Sequence, residues 1–313
     1  MNIVLAAEEA AGVQALRAVA DAGHRVVGVL TSSAAAASGA ARRGAVVADV
    51  AADLGVPVWP AHLVRSPELA AVLCDGVVDL LLNVHSLHIV HPAVLRAAVI
   101  GSFNLHPGPL PRYAGLNAPS WAVLHGEIDH AVTVHWMAPG IDTGPVAYAT
   151  TFALTEEDTG LSVSARCVRL GIPLLRRLLD DAAVNPRRIP VLEQNPSERR
   201  YHGREVPYAG KVRWSLPAGE LTRFIRACDF HPLPSPWGSP LASLGGEPLA
   251  VLGASLTREP CAAPPGTVGG CVNGAALVAT GDEWVRLHHV RVGGRRVEAG
   301  RVLAPGQRLS DGP

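Results

Sequence analysis

The chain has 313 residues, 48% of them hydrophobic and 17% charged, with 27 basic residues balanced by 27 acidic ones. That length and apolar content support a sizeable core and favour two domains over one, while the zero net charge removes the global basic field that would gather a nucleic acid and leaves only local patches. Five scattered cysteines (Cys74, Cys167, Cys228, Cys261 and Cys271), with no Cys-x-x-Cys pair, exclude a disulfide scaffold and fit a reducing compartment. No uninterrupted apolar run of about 18 residues occurs, and the apolar start leads into Glu8-Glu9 instead of a signal sequence, so a soluble cytoplasmic protein is the expectation.

Residues 3–6 predict a strand, 8–22 a helix with Val13, Leu16, Val19 and Ala20 at helical spacing, and 26–30 a second strand. Strand, helix, strand implies a parallel α/β sheet. The Ala-, Ser- and Gly-rich stretch 31–44 reads as a loop or weak helix, 46–54 as a helix, 56–59 as a short strand and 67–73 as a helix. Residues 77–84 lack alternation, as a strand covered on both faces does. A short helix opened by Pro92 follows, and then a strand over 99–104 that carries Asn104 and His106 to its C-terminal end, the edge where open α/β sheets place their sites. Residues 118–124 predict a helix, 131–137 and 146–152 strands, and 161–181 a long helix covering the sheet; Asp142 falls on a turn with Pro139 and Gly140. Composition changes after Asn185. The division that follows is 1–185 for an α/β catalytic domain, 186–215 for a connecting segment, 216–304 for a small β-rich domain with an opening helix over 216–227, and 305–313 for a flexible tail.

The chemistry concentrates in Phe103-Asn104-Leu105-His106-Pro107-Gly108-Pro109-Leu110-Pro111-Arg112-Tyr113-Ala114-Gly115 and in Pro139-Gly140-Ile141-Asp142-Thr143-Gly144. Asn104 offers an amide donor and a carbonyl acceptor, His106 exchanges a proton near neutral pH, and Asp142 can orient or stabilise a protonated imidazole or pass a proton through water. The set suits transfer of an acyl group to an amine. The carbonyl oxygen then becomes negative, where Asn104 and protonated His106 can stabilise it, and a proton must leave the nitrogen; no covalent enzyme intermediate is needed. The same residues also suit purely structural roles: Asn104 capping a helix or turn, His106 as a buried hydrogen-bonding group, and Asp142 fixing its own turn. Pro107, Pro109 and Pro111 restrict the loop and favour a preorganised site.

The segment 103–119, then Trp121-Ala122-Val123-Leu124-His125-Gly126-Glu127, and then Gly140-Ile141-Asp142-Thr143-Gly144, resembles the formyltransferase family that includes methionyl-tRNA formyltransferase. The resemblance implies a Rossmann-like catalytic domain with a mostly parallel sheet and a small β-rich C-terminal domain. It also implies 10-formyltetrahydrofolate as co-substrate, with Asn104, His106 and Asp142 as the catalytic set. It further implies a folate pocket on the strand and loop carrying Leu82, Asn83, Val84, His85, Leu87 and Ile89, with Gly140 close by. Asn83, His85 and His88 depart from the family's usual character there and are open to ligand binding or to solvent. A metal site of His85, His88 and His91 carries little weight, and no metal is expected.

On the acceptor side the candidates are Arg112, Tyr113 and Asn117, with the Arg199-Arg200 pair as a further contact for a carboxylate or phosphate. Residues 225–230 and 234–240 are similar to small-molecule and peptide-synthetase-associated formyltransferases. The cluster Arg286, Arg291, Arg295 and Arg296 is local, so a primary amine on an amino sugar or amino acid derivative, free or carrier-bound, is favoured over methionyl-tRNA. A 10-formyltetrahydrofolate hydrolase and a non-catalytic folate-binding module are also compatible with the same residues. No membrane partner is expected.

Overall fold

The computed structural model describes residues 1–32 and 46–312; beyond Ser32, the stretch read as a loop or weak helix over 31–44 lies outside the described residues. In chain order the first elements are β1 (Asn2–Ala7), α1 (Glu9–Asp21), β2 (Arg25–Thr31), α2 (Val47–Asp53), β3 (Val58–Pro60), α3 (Glu68–Asp75), β4 (Leu80–Val84), α4 (Pro92–Leu95) and β5 (Gly101–His106). Next come β6 (Ala114–Gly115), α5 (Ala118–His125), β7 (Asp129–Trp136), β8 (Val146–Ala153), α6 (Gly160–Val184), β9 (Tyr201–His202) and α7 (Ala218–Ala227). The last are β10 (Leu241–Leu244), β11 (Glu247–Pro260), β12 (Val268–Val272), β13 (Ala275–Ala279), β14 (Glu283–Val292), β15 (Arg295–Glu298) and β16 (Leu309–Asp311). Among the described residues no helix is long and apolar enough to cross a membrane.

The chain forms two compact units. The first comprises Met1–Gly115, His130–Phe152 and Ala165–Tyr201. Its sheet runs β3-β2-β1-β4-β5-β7-β8, parallel from β3 through β5 and with β7 antiparallel to β5. Every residue of β4 is buried, which is why its sequence shows no alternation. Val13, Leu16 and Val19 form the buried stripe of α1. Close approach is secured by small residues: a Cβ on Gly12 would lie 2.8 Å from that of Ala7, and one on Gly171 of α6 would meet Leu105 Cδ1 at 2.8 Å. The α/β architecture with a mostly parallel sheet, expected from the sequence, is the one observed.

The second unit comprises Leu116–Asp129, Ala153–Ser164 and His202–Pro313. It is built on an antiparallel sheet in the order β12-β13-β14-β11-β10-β16, with β15 added to β14. Val251 and Ala254 of β11 and Val285, Leu287 and Val290 of β14, on either side of a bulge between the two strands, meet Leu221 and Ile225 of α7 and the indole of Trp214 in one core. The β-rich C-terminal domain is thus present. Its edge corrects one reading: Leu309–Asp311, within the expected tail, pairs with β10, buries Leu309 and lends Asp311 Oδ1 to the Trp214 N–H at 3.0 Å. Three residues of strand are too short to show a period.

Candidate active site

Asn104 and His106 stand two residues apart on β5, so they project from one face of the sheet while Phe103 and Leu105 fill the opposite side of the pleat. The strand register puts Asn83 of β4 directly beside Asn104 on one side and His135 of β7 on the other. Asp142 arrives from the β7–β8 connection in the left-handed conformation, φ 53°. That turn is anchored from behind: Gln194 Nε2 donates to the carbonyls of Asp142 at 2.9 Å and Gly144 at 2.6 Å, and Arg199 Nη2 donates to that of Ile141 at 2.7 Å. The Arg199 guanidinium is therefore a brace for the Asp142 turn, which corrects its reading as an acceptor contact.

The carboxylate of Asp142 is the hub. Its Oδ2 accepts the Gly115 N–H at 2.8 Å and faces His106 Nδ1 at 3.5 Å, while its Oδ1 accepts Asn104 Nδ2 at 3.3 Å and faces His135 Nε2 at 3.4 Å. Burial opposes its ionisation, yet the positive charge that His106 and His135 can take up beside it, and the Gly115 N–H, hold the carboxyl far below the usual range. Asp142 is an anion at every working pH.

The proton positions on the two histidines follow from their carbonyl partners, because a carbonyl only accepts. His106 Nε2 lies 2.6 Å from the Tyr113 carbonyl, so Nε2 carries a hydrogen and Nδ1, facing Asp142, is where a proton is gained or lost. His135 Nδ1 donates to the Trp136 carbonyl at 2.8 Å, and its Nε2 lies between Asn104 Nδ2 at 3.1 Å and Asp142 Oδ1 at 3.4 Å. Burial pushes His106 below its ordinary value, with the Asp142 carboxylate pulling the other way. At neutral pH His106 is an uncharged ring with a free lone pair beside an anion.

Asn104 is engaged on both sides of its amide: Asn83 Nδ2 donates to its Oδ1 at 2.9 Å, and its Nδ2 donates to Asp142 Oδ1 at 3.3 Å and lies 3.1 Å from His135 Nε2. The proline loop is fixed by Thr133 Oγ1 donating to the Gly108 carbonyl at 2.8 Å and His130 Nε2 donating to that of Pro107 at 2.9 Å.

Other expected site residues divide. Leu82 and Val84 are fully buried and consumed in packing and sheet pairing, so neither side chain can line a pocket. Tyr113 is also buried, with its ring edge-on to His130, and its carbonyl sets the tautomer of His106; its side chain does not face an acceptor. His85, φ 59°, faces Glu9 at 3.4 Å, and His91 accepts the Ala93 N–H at 3.1 Å as the cap of α4. Among the described residues no group of three or more His, Cys, Asp or Glu could hold a metal ion. Leu87 and Ile89, by contrast, are 76% and 68% exposed on the loop after β4, and on the same strand and loop Asn83 Oδ1, Ser86 Oγ and His88 Nδ1 are buried without hydrogen-bond partners among the described residues. Apolar surface beside orphaned polar atoms fits a planar heterocycle with its own N–H groups. Gly140 is exposed at φ 137° on the Asp142 turn, Arg112 is exposed, and Asn117 opens α5 in the second unit with φ 58°. His135 is absent from the residues singled out in the sequence, although a histidine inside the alternating strand just before the Gly140–Gly144 turn is the available signal.

Residues 1–178 match the formyl transferase family, and residues 207–308 match the formyl transferase C-terminal domain. The chain belongs to the formyl transferase family. Solved structures agree in fold. This formyl transferase superposes on an N-formyltransferase from Helicobacter canadensis, in complex with folinic acid and dTDP-3-aminofucose, with a TM-score of 0.67 at 16% identity, over 91% of this chain and 98% of that one. The sugar 3N-formyl transferase WlaRD, with dTDP and 5-N-formyl-THF, matches with a TM-score of 0.66 at 16% identity, over 92% and 97%. HypX from Aquifex aeolicus in complex with tetrahydrofolic acid matches with a TM-score of 0.63 at 18% identity, over 96% of this chain and 46% of the longer HypX chain. The family and fold class expected from the sequence are borne out, and with them an enzyme.

Proposed function

We propose that this formyl transferase moves the formyl group of 10-formyltetrahydrofolate to a primary amine of a small metabolite, with an amino sugar as the favoured acceptor and an amino acid derivative, free or carrier-bound, as the second. The observation that carries the reading is the buried Asp142 carboxylate held between His106 Nδ1 and the Asn104–His135 pair at the C-terminal end of β5. Leu87 and Ile89, together with Asn83, Ser86 and Gly140, would hold the folate, which when bound supplies an activated one-carbon carbonyl. His106 Nδ1 takes the proton from the amine as its bond to the formyl carbon forms, and gives it to the folate nitrogen as the bond from that carbon to the folate breaks, so that the formylated amine and tetrahydrofolate leave with His106 neutral again. Asp142 stabilises the imidazolium formed between those two transfers, in a site dry enough for that attraction to count. Asn83 and His135 hold the Asn104 amide, and Asn104 in turn holds the carboxylate. The nucleotide-linked amino sugar in the Helicobacter structure supports the choice of acceptor.

Incubation with 10-formyltetrahydrofolate and a panel of amino sugars, amino acids and methionyl-tRNA, followed by mass spectrometry, tests the reading. A formylated amino sugar is expected. His106→Ala should lower kcat by about 10²–10⁴-fold with little change in folate affinity. Formate without a formylated product would make the chain a hydrolase, and absence of both product and folate binding would overturn the proposal.

A further inference from the structure

The second unit carries a cavity of about 600 Å³ whose lining includes none of the candidate active-site residues. Its floor is a row of cross-strand neighbours on the antiparallel sheet, Leu241, Ala250 and Arg291, and its walls include Ala209 and Trp237. The feature is a broad depression open to solvent, wide enough for a small organic ligand to lie in. One wall is strained: Tyr208 and Ala209 both hold left-handed backbone, φ 54° and 53°, and Gly210 follows at 74°. Non-glycine residues rarely hold that conformation, and it persists where the surroundings impose it. Here Tyr208 is pinned outside the cavity, its hydroxyl donating to Glu220 Oε1 at 2.5 Å and its ring edge-on to Phe224.

Arg291 is the one charged residue of the lining, and Arg296 stands outside the lining as its cross-strand neighbour. Arg291 lies directly across from Arg296 of β15, so two exposed guanidinium groups share one face of the sheet. Like charges in that position repel. Among the described residues neither forms a salt bridge; Arg291 Nη1 donates only to the Ser239 hydroxyl, at a long 3.4 Å. An anion between the two would reverse the repulsion and use donors that are otherwise solvated.

We propose that this cavity binds a phosphate ester on an apolar stem, the stem lying over Leu241 and Ala250 against Trp237 and the phosphate bridging Arg291 and Arg296. The site is independent of the identity of the formyl acceptor. Calorimetric titration of the full chain with hexyl phosphate, 1-hexanol and inorganic phosphate tests it. Hexyl phosphate should bind saturably at one site and about tenfold or more tighter than either fragment. Arg291→Gln and Arg296→Gln should each weaken hexyl phosphate by about tenfold and leave 1-hexanol unchanged. Ala250→Phe, which fills the floor, should abolish binding of hexyl phosphate and 1-hexanol. Circular dichroism confirms the fold of each variant, and the exposed arginine variants decide the matter should the Phe variant misfold. Equal affinity for hexyl phosphate and inorganic phosphate, or no effect of either Gln variant, would overturn the site. Sedimentation with anionic phospholipid vesicles in place of hexyl phosphate binding would overturn it too, because it would assign the arginines to a membrane surface.

Discussion

His106 and Asp142 share one electrostatic problem, and its solution sets a pH dependence. Burial disfavours the imidazolium more than the carboxylate restores it, so His106 stays neutral below the pH at which a free histidine titrates. If neutral His106 is the proton acceptor, kcat rises with pH through a midpoint below about 6.5 and is level at neutrality. Asp142→Asn removes the strongest attraction that raises the histidine's value. The midpoint should therefore move further toward acid while the plateau drops on the order of a hundredfold or more, since the imidazolium formed in the reaction loses its counter-ion. A kcat profile centred above 6.5, or one that Asp142→Asn leaves in place, would remove His106 from this role. The Tyr113 carbonyl is as much a part of the device as the carboxylate, because it decides which ring nitrogen carries the exchangeable proton. Backbone carbonyls have no signature in a sequence, which is why Tyr113 reads there as a ligand contact. His135 escapes for the opposite reason: in an alternating strand a histidine looks like one more half-buried residue.

At the scale of elements, the site is a strand end and a turn brought to one point, and at Gly144 the turn passes too close to the strand for a side chain. A Cβ on Gly144 would lie 1.9 Å from the Trp136 carbonyl oxygen, which pairing of β7 with β5 holds in place. Gly144→Ala must displace the turn that carries Asp142. A loss of about 2 kcal/mol or more in urea unfolding is expected, together with a fall in kcat larger than the change in folate affinity. Unchanged stability would mean that the turn can slide without cost. The strands and helices of the α/β part are legible in the sequence because their periods are strong: the stripe of α1 and the featureless run of β4 each state their burial. Asn104, His106 and Asp142 are legible because polar groups sit among fixed prolines and glycines. The edge strand Leu309–Asp311 is not, since its only core residue is Leu309.

At the scale of the whole molecule the chain is interleaved. Leu116–Asp129 and Ala153–Ser164, inside the segment that reads as one α/β domain, belong to the compact unit that holds the C-terminal sheet. No composition shift marks those crossings, because a helix that packs on one unit or the other has the same period. Each unit nevertheless contains a buried thiol that reports on it. Cys167 in the first is pushed up to about 12 by burial and reaches the Pro107 and Ala131 carbonyls at 3.8 and 3.9 Å, and Cys228 in the second is also pushed up to about 12 by burial. At pH 8 a thiol of that kind is about 10⁻⁴ thiolate, and the thiolate is the species that alkylates. Iodoacetamide followed by peptide mass spectrometry should thus modify the exposed Cys74 and Cys271 in the native protein and spare Cys167 and Cys228. In denaturant all of them should react at comparable rates, because the burial that raises the two values is gone. Labelling of Cys167 at the rate of Cys74 under native conditions would mean that the contact between α6 and the proline loop opens readily. In that case the loop that carries the Tyr113 carbonyl could not hold the proton of His106 in place.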